Sequence, residues 1–126
     1  MRYVIYNPNP CGRSVGDCVL RALTKLFGCS WEQAFWDMSE LAFMMCDVQI
    51  SNAVLAAHMK DKGYRQKALP DTCPSCYTVE QFCIDHPWGK YLVATGTHVV
   101  AVIDGEYYDS WDSGQEIPTY YFEEVL

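Results

Sequence analysis

One stretch limits the fold of this chain more than any other: the run from Thr97 to Trp111, divided by Asp104-Gly105. Thr97–Ile103 is rich in Val and Ile, which suit a pleated, half-buried surface. Asp-Gly between two such segments is the strongest short hairpin signal, because both central turn positions need a positive φ. A tight turn there pairs Ile103 with Glu106, Val100 with Asp109 and His98 with Trp111. Side chains alternate along a strand, so His98, Asp109 and Trp111 share one face, with Asp109 diagonal to His98. Asp112 points to the other face unless a bulge shifts the register.

The rest of the chain reads as helices ahead of strands. Arg2–Tyr6 is a short strand, followed by a loop fixed by Pro8 and Pro10. Ser14 with Asp17 forms a capping box that opens a helix from about Val15 to Phe27, closed by Gly28. Ser30 with Gln33 opens a second helix with an apolar stripe from Trp31 to Met45. A third helix spans Ser51–Lys62 and carries His58, to which we assign no catalytic part. Arg65–Tyr77 is loop-like. Thr78 with Gln81 opens a short helix that stops before Pro87. Tyr91–Thr95 and Ile117–Phe122 supply further strands. Helices followed by antiparallel strands make an α+β domain.

A chain of 126 residues, half of them apolar, is the size of one domain with one core. Its formal charge of −7 opposes binding to phosphate backbones and anionic membranes, so we expect neither nucleic acid nor membrane as a partner. The apolar stretches are too short to span a bilayer, and the N-terminus lacks the apolar region of a signal peptide. We therefore expect a cytoplasmic protein with mostly reduced thiols among its 7 cysteines. The oligomeric state is left open.

Thiol chemistry needs a thiolate, which a helix N-terminus and a neighbouring imidazolium both favour. Cys18 lies about one turn into the first predicted helix. Cys11 is in a loop, Cys29 follows a helix end, and Cys46 falls on the apolar face of the second helix. Position therefore singles out Cys18 as nucleophile, with His98 as its base and Asp109 to orient the imidazole. The plain alternatives are a buried, inert Cys18 and a satisfied strand histidine. Asp112 is the alternative third member.

Cys at the start of the first helix, His on a strand and a carboxylate on the next strand is the order of papain-like cysteine peptidases, which this chain resembles. Asp109-Ser110-Trp111 is similar to the family's Asn-Ser-Trp, and Gly16-Asp17-Cys18 to its Gly-Ser-Cys. Gly96-Thr97-His98-Val99-Val100 is similar to the His strand of bacteriocin-processing peptidases. The resemblance implies a papain-like α+β fold, with N-terminal helices carrying Cys18 packed on a C-terminal antiparallel sheet carrying His98 and Asp109. It implies that Trp111 shields the His98–Asp109 bond and that Asp17 supports the site. The family's oxyanion Gln is replaced by Gly12, so Asn9, Arg13 or backbone amides take that part. Most of the chain also resembles short proteins encoded by phages and prophages of gut bacteria, through Asn7-Pro8-Asn9-Pro10, Val15-Gly16-Asp17-Cys18 and Tyr107–Gly114. The resemblance attaches no substrate to them.

The expected function is a thiol hydrolase of a peptide or isopeptide bond, with a protein or peptide substrate and no cofactor. The alternatives are acyl transfer on the same triad, as in transglutaminase-like enzymes, and a non-catalytic binding module. Cys73, Cys76, Cys83 and His86 have zinc-type spacing. We weigh that set against loop thiols or a Cys73–Cys76 disulfide, and expect no metal.

Overall fold

A computed structural model describes residues 2–125. Its elements are β1 (Tyr3–Ile5), α1 (Cys18–Phe27), α2 (Trp31–Met44), α3 (Asn52–Asp61), β2 (Tyr64–Ala68), α4 (Val79–Asp85), β3 (Lys90–Ala94), β4 (Val99–Ile103), β5 (Glu106–Asp109) and β6 (Tyr120–Glu124). The architecture is α+β, with a 6-stranded sheet in the order β1-β5-β4-β3-β6-β2. The sheet is mixed, because β1 runs parallel to β5 while every other pairing is antiparallel. The expected C-terminal antiparallel sheet is thus corrected at both edges. One edge strand comes from the N-terminus and the other from Arg65–Tyr77, read from the sequence as loop.

β2 escaped the sequence reading because Tyr-Arg-Gln-Lys-Ala has no apolar alternation. Only Tyr64 is buried; the remaining four residues are exposed. The strand exists because β6 supplies a partner, with Arg65 and Lys67 both on Glu123 at 2.7 and 3.2 Å. Charged residues on an edge also deter pairing with other chains.

Helices cover both faces of the sheet, and this explains β4. Leu92, Ala94, Val99 and Ala101 pack against α1, α2 and α3, around Leu23, Met38 and Leu55. Val93, Val100, Val102 and Tyr107 pack on the other face against Val79, Phe82 and Cys83 of α4. A strand buried on both faces needs a continuous apolar run, as in Val99-Val100-Ala101-Val102-Ile103. Both Asp104 and Gly105 have positive φ, 49° and 77°, and Ile103 faces Glu106 as the turn demands.

The helix ends follow the sequence in all but one case. The side chains of Ser30, Ser51 and Thr78 cap α2, α3 and α4, and Gly28 ends α1 in the left-handed region. The exception is α1, which starts at Cys18 rather than near Val15, with no side-chain cap from Asp17. The Asp17 carboxylate is committed elsewhere, as shown below. Among the described residues no helix is long and apolar enough to cross a membrane.

Candidate functional site

Three elements converge at one end of the sheet. Cys18 is the first residue of α1, so its thiol stands at the positive end of the helix dipole. His98 closes the turn between β3 and β4. Its N–H donates to Thr95 Oγ1 at 3.1 Å, and its carbonyl accepts from the Thr95 amide at 2.8 Å, which sets the backbone from which the ring projects. Asp109 ends β5, and its carbonyl accepts from the Tyr6 amide at 2.8 Å beside β1. Helix, turn and strand thus hold the three side chains by independent backbone anchors.

The His98 ring bridges the other two. Its Nε2 lies 2.7 Å from Asp109 Oδ2, which leaves the other ring nitrogen unengaged by the carboxylate, and His98 lines one cleft with Cys18. Burial pushes the Cys18 thiol up, but the bonds from His98 and the Val99 amide, with the charges of His98 and Arg21, outweigh it and carry the thiol below its ordinary value. Burial likewise opposes the imidazolium. The bonds to Asp109 and Cys18 prevail, and His98 is raised to about 9. These opposite shifts favour a thiolate–imidazolium pair over the neutral thiol and imidazole.

Asp109 is fully buried and its lone pairs are used. Oδ1 accepts from Arg21 Nε at 3.0 Å and the Ser110 amide at 2.8 Å; Oδ2 accepts from His98 and from Ser113 Oγ at 2.6 Å. Burial alone would raise its pKa, yet these bonds and the charges of His98 and Arg21 lower it. Arg21 also donates to Asp17 Oδ1 at 2.8 Å, and Trp31 Nε1 donates to Asp17 Oδ2 at 2.9 Å. Asp17 is therefore a buried structural partner of the site rather than a helix cap.

The Trp111 ring lies 5.0 Å from the His98 ring between centroids, tilted by 42°, and is 46% exposed. The expected pairing of His98 with Trp111 is not formed: His98 precedes β4 and Trp111 follows β5, so the two rings meet from the loops that end the strands. Asp112 is not a third member: its Oδ1 accepts from the Tyr107 hydroxyl and the Gly114 amide. Asn9 Oδ1 accepts from the amides of Cys11 and Arg13, tying up the loop from within, and neither Asn9 nor Arg13 lines the cleft at Cys18.

The four residues of the zinc alternative are not gathered into one set. Cys73 and Cys76 form a disulfide, and Cys83 is buried in the core, with burial pushing its thiol up to about 12. The His86 ring stacks on Phe82 at 3.8 Å, and its Nδ1 sits 2.9 Å from the Phe82 carbonyl oxygen. Among the described residues no group of three or more His, Cys, Asp or Glu side chains is arranged for a metal.

A cleft of about 390 Å³ opens at the thiol, between Gly16, Cys18 and Val19 on one wall and Thr97 and His98 on the other, with Ile50 and Asn52 at its end. A second hollow of about 270 Å³ shares Gly16, Val19 and Ile50 with it and is walled by Leu20, Trp31 and Phe35. Sequence reasoning missed Arg21, Ser113 and the tie from Trp31. The i,i+4 spacing of Asp17 and Arg21 was the one local signal for Arg21. Nothing local marks Ser113. Compared with models of known protein families, with characterised proteins and with solved structures, the chain gives no match.

Proposed function

We propose that this chain is a papain-like thiol hydrolase that cleaves a peptide or isopeptide bond. Cys18 is the nucleophile, His98 the acid and base, and Asp109 the group that orients His98. One observation carries the reading: an imidazole bonded to a fully buried carboxylate lines an open cleft together with a thiol at the start of a helix. A buried carboxylate bonded to one ring nitrogen fixes the tautomer and stabilises the imidazolium.

In this reading the Cys18 thiolate adds to the substrate carbonyl carbon and the carbonyl oxygen takes the negative charge. The tetrahedral species collapses, the C–N bond breaks, and His98 Nδ1 delivers its proton to the departing amine. A water then adds to the thioester as His98 takes its proton. Loss of the thiolate releases the carboxylic acid and restores the pair. Because Asp17 makes no side-chain cap, amides of the first turn of α1 are left to donate to the oxyanion. The apolar hollow beside the cleft suits an apolar side chain of a protein or peptide substrate. Five free thiols against one disulfide, with the phage-like resemblance, support action in the cytoplasm of a bacterial host.

Acyl transfer is the second reading, favoured by a carboxylate as third member. It shares every step up to the thioester and differs in the nucleophile that follows. The test is a panel of peptidyl electrophiles and fluorogenic peptide amides, with Cys18→Ala as control. A covalent adduct on Cys18 and release of free acid support hydrolysis. Acid replaced by an amide of an added amine indicates transfer. Labelling no faster than that of free cysteine would leave the binding module as the better account.

A further inference from the structure

We propose that Arg21 is a positioning residue of this site, whose guanidinium ties Asp109 to Asp17 and holds a fixed positive charge beside the Asp109–His98 pair that favours the Cys18 thiolate. The proposal rests on the thiol reading above and adds to it a residue outside the triad. Arg21 sits one helical turn beyond Cys18 and is buried, with 5% of its side chain exposed, against 5% for Asp17 and 0% for Asp109. A charge so buried is costly unless paired and fully hydrogen-bonded. Here Nε reaches Asp109 at 3.0 Å and Nη1 reaches Asp17 at 2.8 Å, so one planar fork spans a loop carboxylate and a strand carboxylate. Lysine, a point charge on a flexible stem, cannot hold both at fixed angles. Trp31 Nε1 pins the far oxygen of Asp17 at 2.9 Å, so the fork is braced at both ends.

The charges then alternate along a line: Asp17 negative, Arg21 positive, Asp109 negative, His98 positive, Cys18 thiolate negative. The other groups nearby are accounted for. The Tyr3 phenol on β1 donates to the Asp109 carbonyl at 3.2 Å, and Asp112 lies beyond it, held by Tyr107. Lys25, the next cation on α1, lies over the Tyr108 and Tyr6 rings, 4.3 and 5.3 Å from their centroids. Arg21 is therefore the cation that faces Asp109 from the side opposite His98. Its field also favours the thiolate and keeps Asp109 ionised.

The experiment is the pH dependence of Cys18 alkylation by iodoacetamide, on the intact chain, in variants shown to be folded by circular dichroism. Arg21→Met raises the pH at which the thiolate forms by about one unit, so alkylation below the wild-type midpoint slows about tenfold. Arg21→Lys keeps the charge without the fork and restores the midpoint while lowering the urea midpoint. Asp17→Asn removes a negative charge from the far side of the guanidinium and moves the thiol midpoint down, the opposite direction. A purely structural Arg21 would lower the urea midpoint and leave all thiol midpoints where they are in wild type, and that result overturns the proposal. If Arg21→Met does not fold, Asp17→Asn decides by its sign, since Arg21→Lys keeps the wild-type midpoint on either account. A wild-type Cys18 no more reactive than free cysteine overturns the thiol reading and this proposal together. A fast wild-type Cys18 with unmoved variants overturns the positioning role alone.

Discussion

At the scale of single residues, what separates Cys18 from the other thiols is the company each keeps. Burial raises Cys29, and it raises Cys83 to about 12, with no imidazole to offset it. Cys18 alone stands at the first residue of a helix, with His98 across the cleft from it. With limiting iodoacetamide at pH 6, we expect Cys18 to carry most of the adduct and Cys83 none; preferential labelling of Cys11, in the exposed loop, would refute this. Trp111 permits a sharper test. Its ring faces His98 but is almost half exposed, so it contributes less packing than a core aromatic. Removing it wets the His98–Asp109 bond, and hydrogen bonds weaken as the local dielectric rises. Trp111→Ala should thus slow Cys18 alkylation several-fold while costing less than the ~3–5 kcal/mol typical of a buried aromatic. Alkylation rate and urea midpoint measured on the same variant decide it.

At the scale of elements, the segment after β5 does more than end a strand. Ser113 reaches Asp109, and its neighbour Gly114 is clasped between Tyr107 and α4, its carbonyl accepting from the Glu80 amide at 3.0 Å. A Cβ at Gly114 would collide with the Tyr107 hydroxyl, so no other residue fits without movement. Gly114→Ala should cost on the order of 1–3 kcal/mol by overpacking and, by displacing Ser113, should also slow Cys18 alkylation. An equal alkylation rate in folded protein would show that Ser113 is dispensable. The opposite edge of the sheet provides the contrast. Arg65 is 60% exposed in its pair with Glu123. An exposed pair is worth about 0–1 kcal/mol, so Arg65→Ala should barely shift the urea midpoint and leave the thiol untouched.

For the molecule as a whole, the site should leave a mark on stability against pH. The folded His98 pKa is raised from 6.5 to about 9, so its contribution is fully present below 6.5 and is lost as pH rises towards 9. Cys18 is lowered from 9.0, so its contribution grows with pH over part of the same range. In the thiolate–imidazolium pair the proton kept by His98 is the one given up by Cys18. Folded and unfolded chains then bind similar numbers of protons, and wild-type stability should vary little across that window. Cys18→Ala removes the compensation but keeps Asp109 on His98, so its stability should fall as pH rises above 6.5. Asp109, lowered below 3.8, adds stability that is lost in acid as pH falls through its folded pKa. Urea midpoints at intervals from pH 5 to pH 9 test the difference, and parallel curves for the two proteins would refute the pair.

The parts of the fold legible in sequence are those set by nearest neighbours. Asp104-Gly105 requires a tight turn, and the pairing of β4 with β5 follows from it, while His98 and Trp111 lie just beyond the strands and meet through the loops that end them. Ser30, Ser51, Thr78 and Gly28 mark helix ends because capping is local. The α1 start was misread because Asp17 has two possible partners, the helix amides nearby and the guanidinium of Arg21, and the sequence does not say which prevails. Burial against the sheet decides for Arg21, since two buried charges must be paired. β2 and the parallel placement of β1 are tertiary decisions too, for an edge strand takes its structure from the neighbour that receives it. The sequence by itself singled out Cys18, His98 and Asp109 as the candidate site and fixed their order along the chain. Only the tertiary structure decided that Arg21 and Ser113 complete the site, because the distances that matter run between residues 88 apart in the chain, or across a loop with no local signal.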